Sequence, residues 1–319
     1  MQLTAPERIE RVEVPDLTAD ALGPDEVLLR FVTGGLCGSD SPKFRGAFDP
    51  DEPFVGAPGV PLHELVGEVV ASTSSRHAPG SHVVGLVQRF AGLAQFSRTA
   101  ADTVVAVAPG LDPADAVVVQ PVATVLNALR RLPEPVNDRA VVLGLGPLGL
   151  LFCHTLHQRG YRVTGVDRVD RSDVAAAFGI DDLVTADIDA WTDASGADAA
   201  VVVEAVGHDQ RLVADAVRLA ANEGHVVAFG LPDGDAIFPL REFYQRRLSL
   251  TSGNTRDWQR YLAEAQDYVL EHPELHTVGI THRFHPFDAQ EAFATHVRPS
   301  AGRLKVVLSE SVARRGQGA

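Results

Sequence analysis

The stretch Ala140-Val-Val-Leu-Gly-Leu-Gly-Pro-Leu-Gly149 decides the fold of this 319-residue chain. Its first four residues are apolar and rich in β-branching, which predicts a strand. Glycines permit a tight turn with a close approach of the backbone to a ligand, and proline suits the first turn of a helix. We therefore predict a strand, a glycine turn and a helix, with the turn and the helix start formed by Gly144, Gly146, Pro147, Leu148 and Gly149.

The surroundings of this turn indicate a nucleotide-binding function. A second predicted strand, Arg162-Val-Thr-Gly-Val166, leads directly into Asp167. A glycine turn between a strand and a helix, followed about 20 residues later by an acid, is the dinucleotide-binding fingerprint, in which the helix N-terminus binds the pyrophosphate. Asp167 would accept hydrogen bonds from the ribose hydroxyls and repel a 2′-phosphate, which favours NAD over NADP, while the neighbouring Arg168 could offset part of that repulsion.

Strands and helices continue to alternate after this unit. Residues 198–203 and 224–229 predict strands, and residues 210–221 contain a predicted helix. Such alternation predicts a parallel sheet covered by helices. Ligands bind outside the carboxyl ends of such strands. We expect the two loops there to border the cofactor through Val206, Gly207, Phe229 and Gly230.

The remaining sequence predicts a β-rich domain in two pieces. Residues 1–107 hold short β-branched runs separated by Gly and Pro, and similar runs return after about residue 272. Asp112, which is followed by proline, predicts the start of a connecting helical region. We predict an α/β protein in which a doubly wound parallel-sheet domain, residues 123–270, is inserted into a β-rich domain, residues 1–122 and 271–319.

Composition limits the partners. The chain has 42 acidic against 28 basic residues and a formal charge of −14, which argues against nucleic acid. It has no apolar run long enough to span a bilayer. Its two cysteines, Cys37 and Cys153, stand in unlike surroundings and do not form a disulfide framework, so we expect a reducing, cytoplasmic location.

Two further motifs lie in the β-rich part, Gly35-Leu-Cys-Gly-Ser-Asp40 and Pro61-Leu-His-Glu64. Together with the glycine turn and the closing Lys305-Val-Val-Leu308, they resemble the zinc-dependent medium-chain dehydrogenases, in particular the polyol and sugar dehydrogenase branch. The resemblance covers nearly the whole chain. It implies a GroES-like catalytic domain beside a Rossmann domain, one catalytic zinc, a hydroxylated small-molecule substrate and a homo-oligomer.

The resemblance also implies roles for individual residues. Cys37, His63 and Glu64 would be the thiolate, imidazole and carboxylate groups at the zinc, and Asp40 would accept the other N–H of His63. Ser39 would take the substrate's proton. The resemblance bears on three further residues. Gln120 stands where the branch has Glu and can offer only a neutral oxygen, and Thr124 is expected beside the nicotinamide. For Lys43, three roles are possible: a proton relay, a contact with the substrate, or a solvated position in the loop.

These expectations combine into one function with two alternatives. We expect oxidation of a secondary alcohol of a polyol, sugar or cyclitol, or the reverse reduction, with NAD and one zinc. A zinc-free quinone or enoyl reductase of the same superfamily is the first alternative, and a catalytically silent cofactor-binding protein is the second. A structural zinc is excluded, because residues 88–97, where relatives carry four cysteines, contain none.

Overall fold

The protein is divided into two compact units. The structure is a computed structural model that describes residues 1–15, 17–47, 55–209, 211–232, 234–235 and 238–314. The first unit comprises Met1–Gln120, Asp257–Pro299 and Arg303–Ala319. The second comprises Pro121–Arg256 and Ser300–Gly302.

Strands and helices are numbered separately in chain order. The strands of the described residues are β1 (Gln2–Ala5), β2 (Arg8–Glu10), β3 (Glu26–Gly35), β4 (Glu64–Ser72), β5 (His82–Leu86), β6 (Phe96–Ala100), β7 (Val104–Ala106), β8 (Arg139–Leu143), β9 (Arg162–Asp167), β10 (Asp182–Thr185), β11 (Ala199–Glu204), β12 (Ala220–Ala228), β13 (Ser249–Ser252), β14 (Ile280–Phe284) and β15 (Lys305–Ser309). The helices are α1 (Asp40–Phe44), α2 (Val119–Leu129), α3 (Pro147–Gln158), α4 (Ile188–Ala194), α5 (Arg211–Leu219), α6 (Leu240–Gln245), α7 (Trp258–Glu271), α8 (Glu274–Thr277) and α9 (Ala289–His296).

The first unit is built on a mostly antiparallel sheet with the order β14-β15-β3-β4-β5-β7, and β6 pairs with the other part of β3. The closing strand β15 pairs antiparallel with β3 and parallel with β14. Residues from both ends of the chain, such as Leu29, Phe293 and Leu308, share one hydrophobic core. The β-rich segments at the two ends of the chain therefore form a single unit.

Helix α7 belongs to this first unit. Its Gln259 side chain donates to the main-chain oxygen of Ala101 (3.1 Å), and its Gln266 side chain accepts from the main-chain N–H of Ala108 (2.7 Å). The sequence boundary predicted at residue 270 therefore differs from the division in the structure, which falls after Arg256. An amphipathic helix that follows a strand does not reveal from its own pattern which unit it covers.

The predicted start of a helix at Asp112 is wrong. Asp112 caps a single turn, because its carboxylate accepts from the N–H of Ala114 at 2.8 Å. The chain then passes through a 3₁₀ turn, Ala116–Val118, before α2 begins at Val119.

The second unit holds a parallel six-stranded sheet with the order β10-β9-β8-β11-β12-β13. Strand β11, with the sequence Ala-Ala-Val-Val-Val-Glu, is buried throughout, as expected for a strand covered on its two faces. The strand order reverses between β8 and β11, which is the place where doubly wound sheets bind ligands. The predicted fold class is confirmed. Within the described residues, no helix is long and apolar enough to cross a membrane.

Candidate active site

Three potential metal ligands converge in the first unit. The sulfur of Cys37, a ring nitrogen of His63 and a carboxylate oxygen of Glu64 all lie within 4.8 Å of one another. The pairing of β3 with β4 places Gly35 opposite Glu64, so the turn after β3 meets the start of β4. A Cβ atom at Gly35 would collide with the Glu64 carboxylate and come within 2.9 Å of the side chains of Lys305 and Val117, so this crossing favours glycine.

Asp40 holds two members of this cluster. It is 0% exposed, its Oδ2 accepts from the main-chain N–H of Cys37 (2.8 Å), and its Oδ1 lies 3.3 Å from Nδ1 of His63. Burial alone would raise the pKa of Asp40, but His63 and the Cys37 N–H outweigh it and lower that pKa. Burial likewise opposes the charged imidazolium, but the Asp40 carboxylate and Cys37 outweigh it and raise the pKa of His63 to about 10. Asp40 and His63 therefore stabilise the charged forms of each other.

The Glu64 carboxylate forms a buried ion pair with Lys305, the first residue of β15. The Lys305 ammonium also donates to the main-chain oxygen of Leu36 at 2.9 Å. The closing strand thus provides a positive charge beside the cluster, a feature that the sequence motif Lys305–Leu308 did not reveal.

Lys43 and Phe90 form one wall of the cluster. The Lys43 ammonium lies 4.1 Å from the centre of the Phe90 ring and donates to the main-chain oxygen of Ser39 at 3.2 Å. Phe90 contacts His63 edge-on, with 4.6 Å between ring centres. Lys43 is only 5% exposed, so a solvated position for this lysine is wrong. Ser39 is half-buried at the residue before α1.

Phe90 and His296 belong to the surroundings of the site but carry no sequence motif. Phe90 has a positive φ of 54°, which a bulky residue rarely adopts and which marks a constrained loop. His296, at the end of α9, is buried, and its Nε2–H donates to the main-chain oxygen of Cys37 at 2.9 Å. Burial lowers the pKa of His296 to about 4. No local signal could have identified either residue, because each reaches the cluster from a distant part of the chain.

Gln120 lies buried in the first turn of α2. The 3₁₀ turn just before α2 packs on β3 and β4, and Val117 in that turn lies close to Gly35. Gln120 therefore follows a segment that contacts the strands carrying the cluster.

The second unit carries the glycine turn. Gly144 has a φ of +89°, and Gly146 precedes the 12-residue helix α3, which has Pro147 at its first position. A Cβ atom at Gly149 would collide with the main-chain oxygen of Gly144, whereas one at Gly146 would meet nothing within 4 Å. Leu148, between them, is half-buried. The turn therefore has no space for a side chain at Gly149, whereas the space beside Gly146 is free.

Asp167 braces this turn. Its Oδ2 accepts from the N–H of Leu145 (2.6 Å) and its Oδ1 accepts from the N–H of Val169 (2.8 Å). The following Arg168 is exposed. The acid predicted from the fingerprint thus lies against the glycine turn.

The other predicted nucleotide contacts also lie in the second unit. Val206 is 40% exposed and Gly207 is buried, after β11. Phe229 and Gly230 follow β12, and the ring of Phe229 packs edge-on against Phe152. Thr124, on α2, is half-buried and donates to the main-chain oxygen of Pro121 at 2.8 Å.

Comparison with known proteins agrees with this architecture. Residues 23–127 match the family described as "Alcohol dehydrogenase GroES-like domain", and residues 147–267 match the family described as "Zinc-binding dehydrogenase". A GroES-like domain followed by a domain of this kind defines the class of alcohol dehydrogenases with two domains.

Curated relatives and solved structures extend the match to nearly the whole chain. L-galactonate-5-dehydrogenase of Escherichia coli K12 is 25% identical over 83% of this chain and 86% of its own length. D-altritol 5-dehydrogenase of Agrobacterium fabrum is 26% identical over 93% of this chain and 96% of its own length. The fold is shared with an alcohol dehydrogenase of E. coli CFT073 crystallised with NADH, at 20% identity, a TM-score of 0.79 and coverage of 96% of this chain and 97% of that one.

The chain belongs to the zinc-dependent medium-chain dehydrogenase superfamily, in the branch of the polyol and sugar dehydrogenases. It is therefore a dehydrogenase by family.

Proposed function

We propose that the protein is an NAD-dependent, zinc-assisted dehydrogenase that oxidises a secondary alcohol of a polyol, sugar or cyclitol, or reduces the corresponding ketone. The convergence of the Cys37, His63 and Glu64 ligand atoms within 4.8 Å carries this proposal. Relatives named as L-galactonate and D-altritol dehydrogenases support a hydroxylated small-molecule substrate.

The cluster suits zinc. A thiolate, an imidazole and a carboxylate are the donor types of catalytic zinc sites, which keep a further position open. Asp40 accepts the Nδ1–H of His63 and thereby fixes the tautomer that leaves Nε2 for the metal. With two cysteines in the whole chain, a structural site of four cysteines has no place in the proposal, which includes one zinc per chain.

The glycine turn suits a dinucleotide. The open side of Gly146 leaves room for close approach of a pyrophosphate, and the first turn of α3 offers main-chain N–H groups and the positive end of the helix dipole. The carboxylate of Asp167 would repel a 2′-phosphate, which favours NAD over NADP. Thr124, Val206, Gly207, Phe229 and Gly230 are proposed to complete this site, with Arg168 at its edge.

The zinc and the nicotinamide, when bound, would supply polarisation of the substrate oxygen and acceptance of the hydride, respectively. The protein's own residues provide the rest. Ser39 would take the alcohol proton, and the contact of the Lys43 ammonium with its main-chain oxygen holds the Ser39 turn in place. Phe90 covers one side of His63 and limits the access of water. Gln120 would offer a neutral oxygen to the metal's surroundings.

The proposal also covers the organisation of the protein. The first unit would be the catalytic domain and the second the nucleotide-binding domain. We further propose a cytoplasmic homo-oligomer.

Two measurements on the purified protein test the function. Elemental analysis should find about one zinc per chain, and reduction of NAD, followed at the nicotinamide absorbance band, should occur with members of a panel of polyols, sugar acids, sugars and cyclitols. A zinc-free protein that reduces quinones or conjugated carbonyls with NADPH would reject the proposal in favour of the zinc-free reductases. Cofactor binding without turnover of any substrate would favour a catalytically silent protein.

A further inference from the structure

A buried carboxylate at the end of β11 stands among the proposed nucleotide-binding loops. Glu204 is the last residue of this strand and is only 2% exposed. Burying a charge is costly unless hydrogen bonds compensate for it. The groups that compensate Glu204 therefore indicate what it does.

The partners of Glu204 are main-chain N–H groups of the loops that follow β11 and β12. Its Oε1 accepts from the N–H of Val206 (2.7 Å) and of Gly207 (2.8 Å). Its main-chain oxygen accepts from the N–H groups of Phe229 and Gly230, each at 2.9 Å. The side chain of Glu204 thus binds the first loop and its main-chain oxygen binds the second. Oε2 of the side chain also lies beside Gly230 of the second loop, where an added Cβ atom would be 2.5 Å away.

These two loops touch each other so closely that side chains are excluded. A Cβ atom at Gly230 would collide with the backbone of Gly207, and one at Gly207, which has a φ of +65°, would collide with the backbone of Leu231. The N–H of His208 also donates to the oxygen of Leu231 at 2.9 Å. The crossing leaves little freedom to either loop.

The first of these loops also contacts the glycine turn. The N–H of Ala205 donates to the main-chain oxygen of Leu143 at 2.9 Å, and a Cβ atom at Gly144 would collide with the side chain of Val206. Glu204 therefore lies where three loops at the carboxyl edge of the parallel sheet meet.

We propose that Glu204 is a positioning residue that holds residues 205–207 and 229–231 in the conformation that binds the nicotinamide nucleotide. The inference rests on the proposed function, because it assigns these loops to the cofactor. Glu204 itself need not touch the nucleotide. Its effect would pass through the N–H groups that it fixes.

The surroundings of Glu204 favour a carboxylate over an amide. The N–H groups of Val206 and Gly207 both reach Oε1 of Glu204, Oε2 lies beside Gly230, and an ionised carboxylate is an acceptor at each of its two oxygens. Burial raises the pKa of Glu204, while the N–H groups of Gly207, Val206 and Gly230 work against that rise. In a Glu204→Gln variant, the amide oxygen could keep the two bonds of Oε1, but the NH₂ group would then replace Oε2 beside the N–H of Gly230.

The test compares Glu204→Gln and Glu204→Asp with the wild-type protein and with Asp215→Asn. Asp215 is a matched control, since it is an equally buried carboxylate of the same unit, and its Oδ1 accepts from Arg218 on its own helix rather than from the two loops. We expect the Kd of NADH, measured by calorimetry, to rise roughly tenfold or more in Glu204→Gln. The KM of the nucleotide should rise with it, while kcat at saturating nucleotide changes much less. Amide hydrogen exchange should quicken in residues 205–207 and 229–231.

The outcomes separate a positioning role from general destabilisation. Partial recovery of the Kd in Glu204→Asp, with Asp215→Asn at the wild-type value, supports the proposal. A Kd within twofold of wild type in Glu204→Gln overturns it, as does a raised Kd without faster exchange in the two loops, or an equal effect in Asp215→Asn. Failure of the wild-type protein itself to bind any nicotinamide nucleotide would instead overturn the proposed function.

Discussion

Glu64, the first residue of β4, and Lys305, the first residue of β15, form a buried ion pair although 241 residues separate them in the sequence. The pair connects the two ends of the first unit and places a positive charge against one proposed zinc ligand. Removal of Lys305 would leave the Glu64 carboxylate unpaired, and a double variant that removes both charges tests whether the loss of stability comes from that unpaired charge.

In the zinc-free protein, Lys305→Met should destabilise the first unit by about 3–5 kcal/mol, because it leaves the buried Glu64 carboxylate without its cation. The melting temperature should fall by on the order of 10 °C. The double variant Glu64→Gln/Lys305→Met should recover much of this loss. The exposed pair Arg260–Glu264 is the control, and Arg260→Met should change the melting temperature little. If Lys305→Met melts like the wild type, the ion pair does not contribute as described.

Cys37→Ser should lose zinc and turnover while keeping the fold, since a hydroxyl is a much poorer zinc ligand than a thiolate. Zinc content, turnover and circular dichroism would be measured together. Cys153→Ser is the control. Cys153 is buried on α3, and burial raises the pKa of its thiol, so that variant should keep its zinc. Wild-type turnover in Cys37→Ser would contradict the zinc mechanism.

Asp167→Ser should lower the preference for NAD over NADP by roughly ten- to hundredfold, because it removes a negative charge from the position of the 2′-phosphate. The affinity for NAD itself should also fall, since the carboxylate no longer accepts from the N–H groups of Leu145 and Val169. Values of kcat/KM for the two nucleotides provide the measurement. Adding Arg168→Ala should remove the NADP activity gained, and comparable efficiency with the two nucleotides in the wild type would refute the role of Asp167.

Gln120→Glu should slow the loss of zinc to a chelator and shift the pH dependence of turnover upward. A carboxylate at this position restores a negative charge near the metal. The metal is then held more tightly, but it lowers the pKa of the bound alcohol less. Chelation kinetics and pH–rate profiles of the two proteins would be compared. If neither changes, Gln120 lies outside the metal's surroundings.

Stability of the zinc-free protein should decrease as the pH falls from about 6.5 to about 4, in part because of His296. Its folded pKa, about 4, lies below the value of about 6.5 in an unfolded chain, so the unfolded state binds the proton first. The contribution of neutral His296 to the free energy of unfolding is therefore complete above pH 6.5 and is lost as the pH falls toward 4. In His296→Gln, the decrease over this range should be smaller by on the order of 3 kcal/mol in urea unfolding experiments. Parallel curves for the two proteins would show that His296 does not titrate in this range.

The sequence predicted those parts of the site that reside in local motifs. The glycine turn, Asp167 and the proposed ligand triad Cys37, His63 and Glu64 all occur in short segments with a characteristic order, and the fold class followed from alternating strands and helices. Antiparallel pairing of β3 with β4 then brings the triad together.

Residues that act through distant contacts could not be predicted in this way. Phe90, His296 and the ion-pair role of Lys305 depend on segments that meet only in the folded unit. In the sequence, Glu204 is recognisable only as the end of a predicted strand. Its proposed positioning role depends on the two loops that cross beside it in the folded unit. Likewise, helix α7 shows its partner only through the hydrogen bonds of Gln259 and Gln266.

The position of β15 between β14 and β3 has a consequence for biosynthesis. The second unit is almost continuous in the chain, from Pro121 to Arg256, and can fold while the rest is still being translated. The sheet of the first unit, in contrast, is completed only when β15 leaves the ribosome. Because Lys305 pairs with Glu64 only at that moment, the Cys37 cluster acquires its final electrostatic surroundings last.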